Sequence, residues 1–169
     1  PDSTGYIKLQ GFQHKSSQEV RQALAELLEL GMNRLIFDLR GNGGGYLTEA
    51  VQIADLFLPK GRLVVYTAGR QIEKAEYKTK EEPMFGDGPL IVLVDARSAS
   101  ASEIVSGAIQ DWDRGLVLGT PTVGKGSVQQ TISIGDRAEL KLTMAAYFIP
   151  SGRSIDKRLH EQKVMWAKD

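Results

Sequence analysis

Three serines lie within five residues at Ser98-Ala99-Ser100-Ala101-Ser102, directly after the apolar run Pro89-Leu90-Ile91-Val92-Leu93-Val94-Asp95. A hydroxyl placed where a strand turns into a helix sits beside unpaired backbone N–H groups and the positive end of the helix dipole. That setting suits attack on a carbonyl and stabilisation of the oxyanion that follows. Ser100 and Glu103 also have capping-box spacing, and Ser98 could be the cap instead, so the local residues leave the nucleophile open. Such a serine needs a base. The two histidines, His14 in a loop before the first helix and His160 in the tail, stand in no informative context, which argues against a serine, histidine and aspartate triad. Lys125, between Gly124 and Gly126, is the other candidate. A lysine amine titrates near ~10.4 in water, so one that acts as a base near neutrality must be stripped of solvent, and flanking glycines let backbone close around it. Gly41-Asn42-Gly43-Gly44-Gly45 lacks the third glycine of a dinucleotide fingerprint, because Tyr46 takes its place. It reads better as an amide-rich loop able to complete an oxyanion hole.

These groups must be held by an alternating pattern of helices and strands. A helix is predicted after Ser16, where Ser16 and Glu19 have capping-box spacing and Val20, Leu24, Leu27 and Leu28 form one stripe before Gly31. Leu35–Leu39 reads as a buried strand that delivers the glycine loop at its carboxyl end. A second helix is predicted over about Thr48 to Leu58, with Ala50, Ile53, Ala54 and Phe57 inward, then a strand at Leu63–Thr67. Arg70 to Pro89 is a polar surface excursion with room for a hairpin, followed by the Pro89–Asp95 strand and a helix through about Asp111. Beyond it come a strand at Leu116–Leu118, the glycine turn to Gly126, and strands around Val128–Ile134 and Glu139–Phe148. The charged tail from Lys157 carries no periodic signal.

The 169 residues fit a single domain spanning 1–169. With 41% hydrophobic and 25% charged residues, the composition is that of an ordinary globular chain. Twenty-one basic residues balance twenty-one acidic ones, so no overall charge draws the chain to nucleic acid or anionic lipid. There is no cysteine, which removes disulfides, thiolate nucleophiles and cysteine-type zinc sites. No apolar run approaches the roughly 20 residues that cross a bilayer, and no secretory leader follows Pro1. The start, running straight into Gly5-Tyr6-Ile7-Lys8-Leu9, is read as that of a fragment or processed form. Gly119-Thr120-Pro121-Thr122-Val123-Gly124-Lys125 begins like a nucleotide-binding P-loop. Gly126 then stands where a metal-binding hydroxyl is needed, so no nucleotide is expected. Neither a cofactor nor a metal is expected.

Four pieces in order, Asp38-Leu39-Arg40-Gly41-Asn42-Gly43-Gly44-Gly45, Ser98-Ala99-Ser100-Ala101-Ser102-Glu103-Ile104, Gly124-Lys125-Gly126-Ser127-Val128-Gln129-Gln130 and Tyr147-Phe148-Ile149-Pro150-Ser151-Gly152-Arg153-Ser154-Ile155, resemble the S41 family of carboxyl-terminal processing proteases. The resemblance covers about Gly5 to Ile155. It implies an α/β fold of the ClpP/crotonase-like type, strands flanked by helices, and a serine endopeptidase acting near protein carboxyl termini through a Ser-Lys dyad and an acyl-enzyme. It makes Ser100 the nucleophile, Lys125 the general base and Gln129 the holder of the lysine amine. Ser98 then serves as the helix cap. The oxyanion donors are the amides of Ala101 and one of Gly43, Gly44 and Gly45, with Asp111 in support. A straight strand sets Lys125 and Gln129 about 13 Å apart, so a bend near Gly126 is expected. The implied partners are proteins or peptides with flexible carboxyl termini, homo-oligomers being left open, and the implied location is the periplasm or outside a bacterium. Family members usually carry a PDZ domain, none is recognisable here, and weak peptidase activity is expected from these residues alone. A peptide-binding or scaffolding module of the same fold is the alternative.

Overall fold

The computed structural model describes residues 3–69, 72–134 and 138–159. His160 and the rest of the tail lie outside the described residues, as do Arg70 and Gln71 of the polar excursion. Along the chain come β1 (Thr4–Lys8), α1 (Ser16–Glu29), β2 (Arg34–Asp38), α2 (Leu47–Ala54), β3 (Leu63–Gly69), β4 (Ile72–Lys78), β5 (Leu90–Val94), α3 (Ala101–Asp111), β6 (Leu116–Gly119), β7 (Ser127–Ile134) and β8 (Ala138–Phe148). The fold is mixed α/β, with two four-stranded sheets. One is wholly parallel, in the order β1-β2-β5-β6; the other is antiparallel, in the order β4-β3-β8-β7.

β2 and β5 are near-continuous apolar runs: Leu35, Phe37, Leu90, Val92 and Val94 are buried on one face, while Ile36, Ile91 and Leu93 on the other are half-buried. Their pairing in register, Leu35 with Leu90 through Asp38 with Leu93, brings the glycine loop after β2 beside the serine turn after β5. Helix α3 is buried at every position from Ala101 to Ile109, so it belongs to the core rather than to an amphipathic surface. It contacts β6 of the parallel sheet and β3 of the antiparallel one. Gly107 lets the segment after β8 come close, since a Cβ there would stand 2.9 Å from Ile149.

Two expectations are corrected by long-range contacts. Helix α1 starts at Ser16 with Lys15, not a serine, at its N-cap in a left-handed conformation, φ 75°. Ser16 Oγ donates to the Gly11 carbonyl, while the Lys15 and Ser17 amides donate to the Glu49 carboxylate of α2 at 3.2 and 2.8 Å. Glu49 therefore does the capping assigned from sequence to Ser16 and Glu19. Helix α2 ends at Ala54 rather than Leu58. There Asp55 leaves the helix and its carboxylate accepts the Lys80 and Glu81 amides, yet Leu56, Phe57 and Leu58 stay fully buried in the following turns. The polar excursion likewise holds a full strand, β4, and drops Phe85 into the core.

Candidate active site

The turn from β5 to α3 separates the three serines. Ser98 is fully buried, donating from Oγ to the Leu39 carbonyl at 2.8 Å and accepting the Asp95 amide at 2.9 Å. Ser102 is fully buried too, its hydroxyl on the Asn42 carbonyl at 2.9 Å. Ser100 alone is half-buried. It is itself the N-cap of α3 and closes a capping box with Glu103, so Ser98 is not the cap. Its backbone has φ 56° and ψ −111°, a combination that costs a non-glycine residue roughly 1–3 kcal/mol and persists only when neighbours enforce it. The Ser98 and Ser102 hydroxyls, anchored on either side, are two of those neighbours.

Gly44 supplies the third. At φ +94°, its missing side chain lets the loop after β2 press on the serine turn, where a Cβ would lie 2.6 Å from the Ala99 carbonyl oxygen and 2.8 Å from the Ser100 Cβ. Asn42 braces the same contact. Buried completely, it donates to the Leu9 carbonyl, accepts the Gly44 amide at 2.9 Å, and receives the Ala99 N–H on its own carbonyl. Replacing Gly44 by alanine is expected to cost roughly 2 kcal/mol or more, read as a fall in urea midpoint with an unchanged slope, because the φ and the space both oppose a side chain. The Gly44 amide is thus committed to Asn42. Among the described residues the amides of Gly43, Gly45 and Ala101 donate to nothing, and Gly45 is wedged against the Phe12 carbonyl while Gly43 faces open space.

Glu103 joins the serine turn to the glycine turn that carries Lys125. Its buried carboxylate accepts four hydrogen bonds: the Ser100 N–H at 2.7 Å and the Lys125 N–H at 2.9 Å on one oxygen, the Gly124 N–H at 2.6 Å and the Thr122 hydroxyl at 2.7 Å on the other. Sharing one oxygen holds the Ser100 and Lys125 amide nitrogens within about 6 Å of each other. From sequence Glu103 reads only as half of a capping box; its partners twenty residues on carry no local signal. Glu103→Gln is expected to be almost as damaging as Glu103→Ala. Each carboxylate oxygen meets two donors, and an amide would turn N–H groups toward one such pair. Both variants should lose roughly 3 kcal/mol in urea denaturation and at least about 100-fold in any activity of the site.

The Lys125 side chain is exposed, and among the described residues its amine makes no hydrogen bond or ion pair. The bend expected near Gly126 is instead a bulge between Val128 and Gln129, where β8 carries the extra residue. Gln129, paired with Thr143, is exposed, and among the described residues it makes no hydrogen bond to Lys125. Asp111 sits at the other end of α3, roughly 16 Å along the axis from Ser100. It accepts the Ser151 amide at 2.8 Å and faces Arg153, so it fastens the segment after β8 to the helix. A cavity of about 440 Å³ lies between α3, β6 and Ile149–Ile155; Glu103, Thr122 and Gly124 line it, and neither Ser100 nor Lys125 does.

The carboxyl end of β2 is fixed by a charge cluster that the sequence motif contains but does not explain. Asp38, fully buried, accepts Arg40 Nε and Nη2 at 3.0 and 2.7 Å, the Arg40 amide at 2.9 Å and the Tyr6 hydroxyl at 2.6 Å. The Arg40 hydrogen bonds hold its carboxyl well below the usual carboxylate range, and the same carboxylate pushes the Tyr6 hydroxyl up. Asp95, also held low by the Gly41 amide, ties the glycine loop to the turn after β5. Among the described residues no cluster of histidine, aspartate or glutamate could hold a metal ion.

The family model described as Peptidase family S41 matches residues 3–162. The chain is 41% identical over 155 residues to a carboxyl-terminal-processing protease of Synechocystis, 92% of this chain and 36% of that protein. It is 39% identical to a carboxy-terminal-processing protease of Bartonella bacilliformis, 89% of this chain and again 36% of the relative. A chloroplastic carboxyl-terminal-processing peptidase of Arabidopsis thaliana is 39% identical over 90% of this chain and 30% of its own. The chain therefore spans about a third of the length of these relatives. A solved structure described as a photosystem II D1 C-terminal processing protease superposes with a TM-score of 0.82 at 34% identity, over 90% of this chain and 39% of that one. With a family match over residues 3–162 and relatives 39–41% identical across about nine-tenths of its length, the chain belongs to peptidase family S41.

Proposed function

We propose that this chain is the catalytic core of a serine endopeptidase that cuts proteins or peptides near flexible carboxyl termini, with Ser100 and Lys125 as its dyad. The observation that carries the reading is the Glu103 carboxylate, which binds the backbone of both residues at once and so holds the strained serine turn against the lysine turn. In the reaction, the neutral Lys125 amine takes the Ser100 hydroxyl proton while Oγ bonds to the scissile carbonyl carbon. The Ala101 amide, with Gly43 as the better placed of the loop glycines, receives the oxyanion. As the intermediate collapses, Lys125 returns the proton to the departing amine. Water then attacks the acyl ester, giving up its proton to Lys125, and Ser100 is restored.

Because the Lys125 amine faces solvent here, the substrate lying over the turn must supply the cover that strips it of water. Gln129 steadies the amine once the turn closes, and Asp111 acts only by anchoring α3. No helix among the described residues is long and apolar enough to cross a membrane. We infer an exported compartment of a bacterium, a reading whose bacterial part the bacterial relatives support. Incubation with an unstructured peptide, followed by mass spectrometry, is expected to yield two fragments cut near the carboxyl end. Tight binding with no fragment would mean a peptide-binding module instead.

A further inference from the structure

The glycine loop that presses on Ser100 runs straight into an aromatic pair. The Phe12 N–H donates to the Gly44 carbonyl at 3.0 Å and the Tyr46 N–H to the Phe12 carbonyl at 2.8 Å, which laces the segment before α1 to that loop. His14 and Tyr46 are thereby set side by side, ring centroids 6.4 Å apart and planes at 63°, the edge-to-face arrangement that aromatic rings prefer. Neither ring belongs to the core: Tyr46 is 59% exposed and the His14 side chain 88%. A single exposed aromatic needs no explanation. Two held against each other at the rim of a site do, because their backbone is fixed on every side. Gly44 is wedged on the serine turn and Tyr46 is the N-cap of α2. Glu49 of that helix takes the Lys15 and Ser17 amides and stands 3.8 Å from His14 Nδ1. The acyl-transfer steps use neither ring.

The distance to the chemistry is short. Tyr46 follows Gly43, the loop amide left for the oxyanion, by three residues, so their Cα atoms lie within about 11 Å of each other. Consider a substrate whose scissile carbonyl rests on the Gly43 and Ala101 amides and which extends toward α2 at about 3.3 Å per residue. It reaches the pair two or three residues from the bond that breaks. The pair offers ring face and ring edge there and no unpaired carboxylate, since the Glu49 oxygens are taken by backbone amides. A peptide side chain gains most on such a shelf when it is itself aromatic, because a third ring adds quadrupole contacts to the area it buries. We propose that His14 and Tyr46 form a substrate subsite that selects an aromatic side chain two or three residues from the scissile bond. The inference rests on the peptidase reading above and adds to it a sequence preference set on the glycine-loop side of the site.

Competition between peptides in one tube reads ratios of kcat/KM directly. An unstructured host of serine, glycine and alanine carries one phenylalanine that moves a residue at a time, with a matched leucine series, and mass spectrometry gives the bond cut in each. Phenylalanine at one position, two or three residues from the cut, should raise kcat/KM about tenfold over glycine and about threefold over leucine. The preference over glycine is expected to fall to within about twofold in Tyr46→Ala, to survive in Tyr46→Phe, which keeps the ring, and to weaken at the same position in His14→Ala. Fluorophosphonate labelling of Ser100 shows whether each variant keeps an assembled site. Should Tyr46→Ala lose the label, His14→Ala decides, since its ring lies in solvent and its loss leaves the core intact. No preferred position, or one that persists undiminished when the ring is removed, overturns the proposal, and leucine favoured as strongly as phenylalanine overturns the aromatic class. A labelled parent with no selected position, whether cutting is unselective or absent, defeats the subsite alone. No label in the parent defeats the peptidase reading beneath it.

Discussion

Replacing Ser100 by alanine is expected to lower peptide hydrolysis by four orders of magnitude or more, measured as initial rates on an unstructured peptide in a preparation free of contaminating protease. The effect on the fold should be small and of predictable sign. Alanine removes the hydroxyl half of the capping box, worth about 1 kcal/mol, but must still adopt φ 56°. Ser100→Gly removes the same hydroxyl and relieves the strain, so it should be equally inactive yet more stable than Ser100→Ala by about 1 kcal/mol in urea denaturation. If Ser100→Ala cleaves at the parent rate, Ser100 is not the nucleophile. If glycine is no better tolerated than alanine, the backbone strain at that position is not real.

Lys125→Ala is expected to cost about a thousandfold in hydrolysis, in the middle of the range for loss of a positioned general base. The fold should survive it, because the turn is held through the Lys125 amide rather than its side chain, and alanine keeps that N–H on Glu103. Lys125→Arg makes the sharper test. A guanidinium carries the same positive charge but does not give up its proton at any accessible pH, so arginine should be as inactive as alanine if the amine works as a base. Substantial activity with arginine would mean that Lys125 contributes charge and not proton transfer.

The parts of this site that were legible in the sequence are those built from neighbours. The run Leu90–Val94 followed by small residues and a helix to Asp111 is a local pattern, and α3 ends where that pattern ends. The glycine loop was recognisable as a set of amides, but not which amide is spent: Gly44 gives its N–H to Asn42, a choice settled by how the loop meets Phe12 and Ala99. Glu103 was visible at the third position of its helix, yet its bonds to Thr122, Gly124 and Lys125 depend on a turn that arrives from beyond β6. The Glu49 cap on α1 escaped for the same reason, since the donor and acceptor are more than thirty residues apart. Helix and strand periods report which face is inward; they say nothing about a single carboxylate that satisfies amides from two distant loops. A useful sign was present nonetheless: Gly124 and Lys125 needed an acceptor for their amides, and a buried acid on the facing helix is the kind of residue to look for.

The most direct measurement is the identity of the residue modified by a fluorophosphonate probe, found by digestion and mass spectrometry of the labelled protein. A serine reacts only when its hydroxyl is activated, so the adduct is expected on Ser100 alone in the parent and absent in Lys125→Ala. An adduct on another residue, or undiminished labelling of Ser100 in Lys125→Ala, would contradict the coupling of the two turns through Glu103 as the basis of activity.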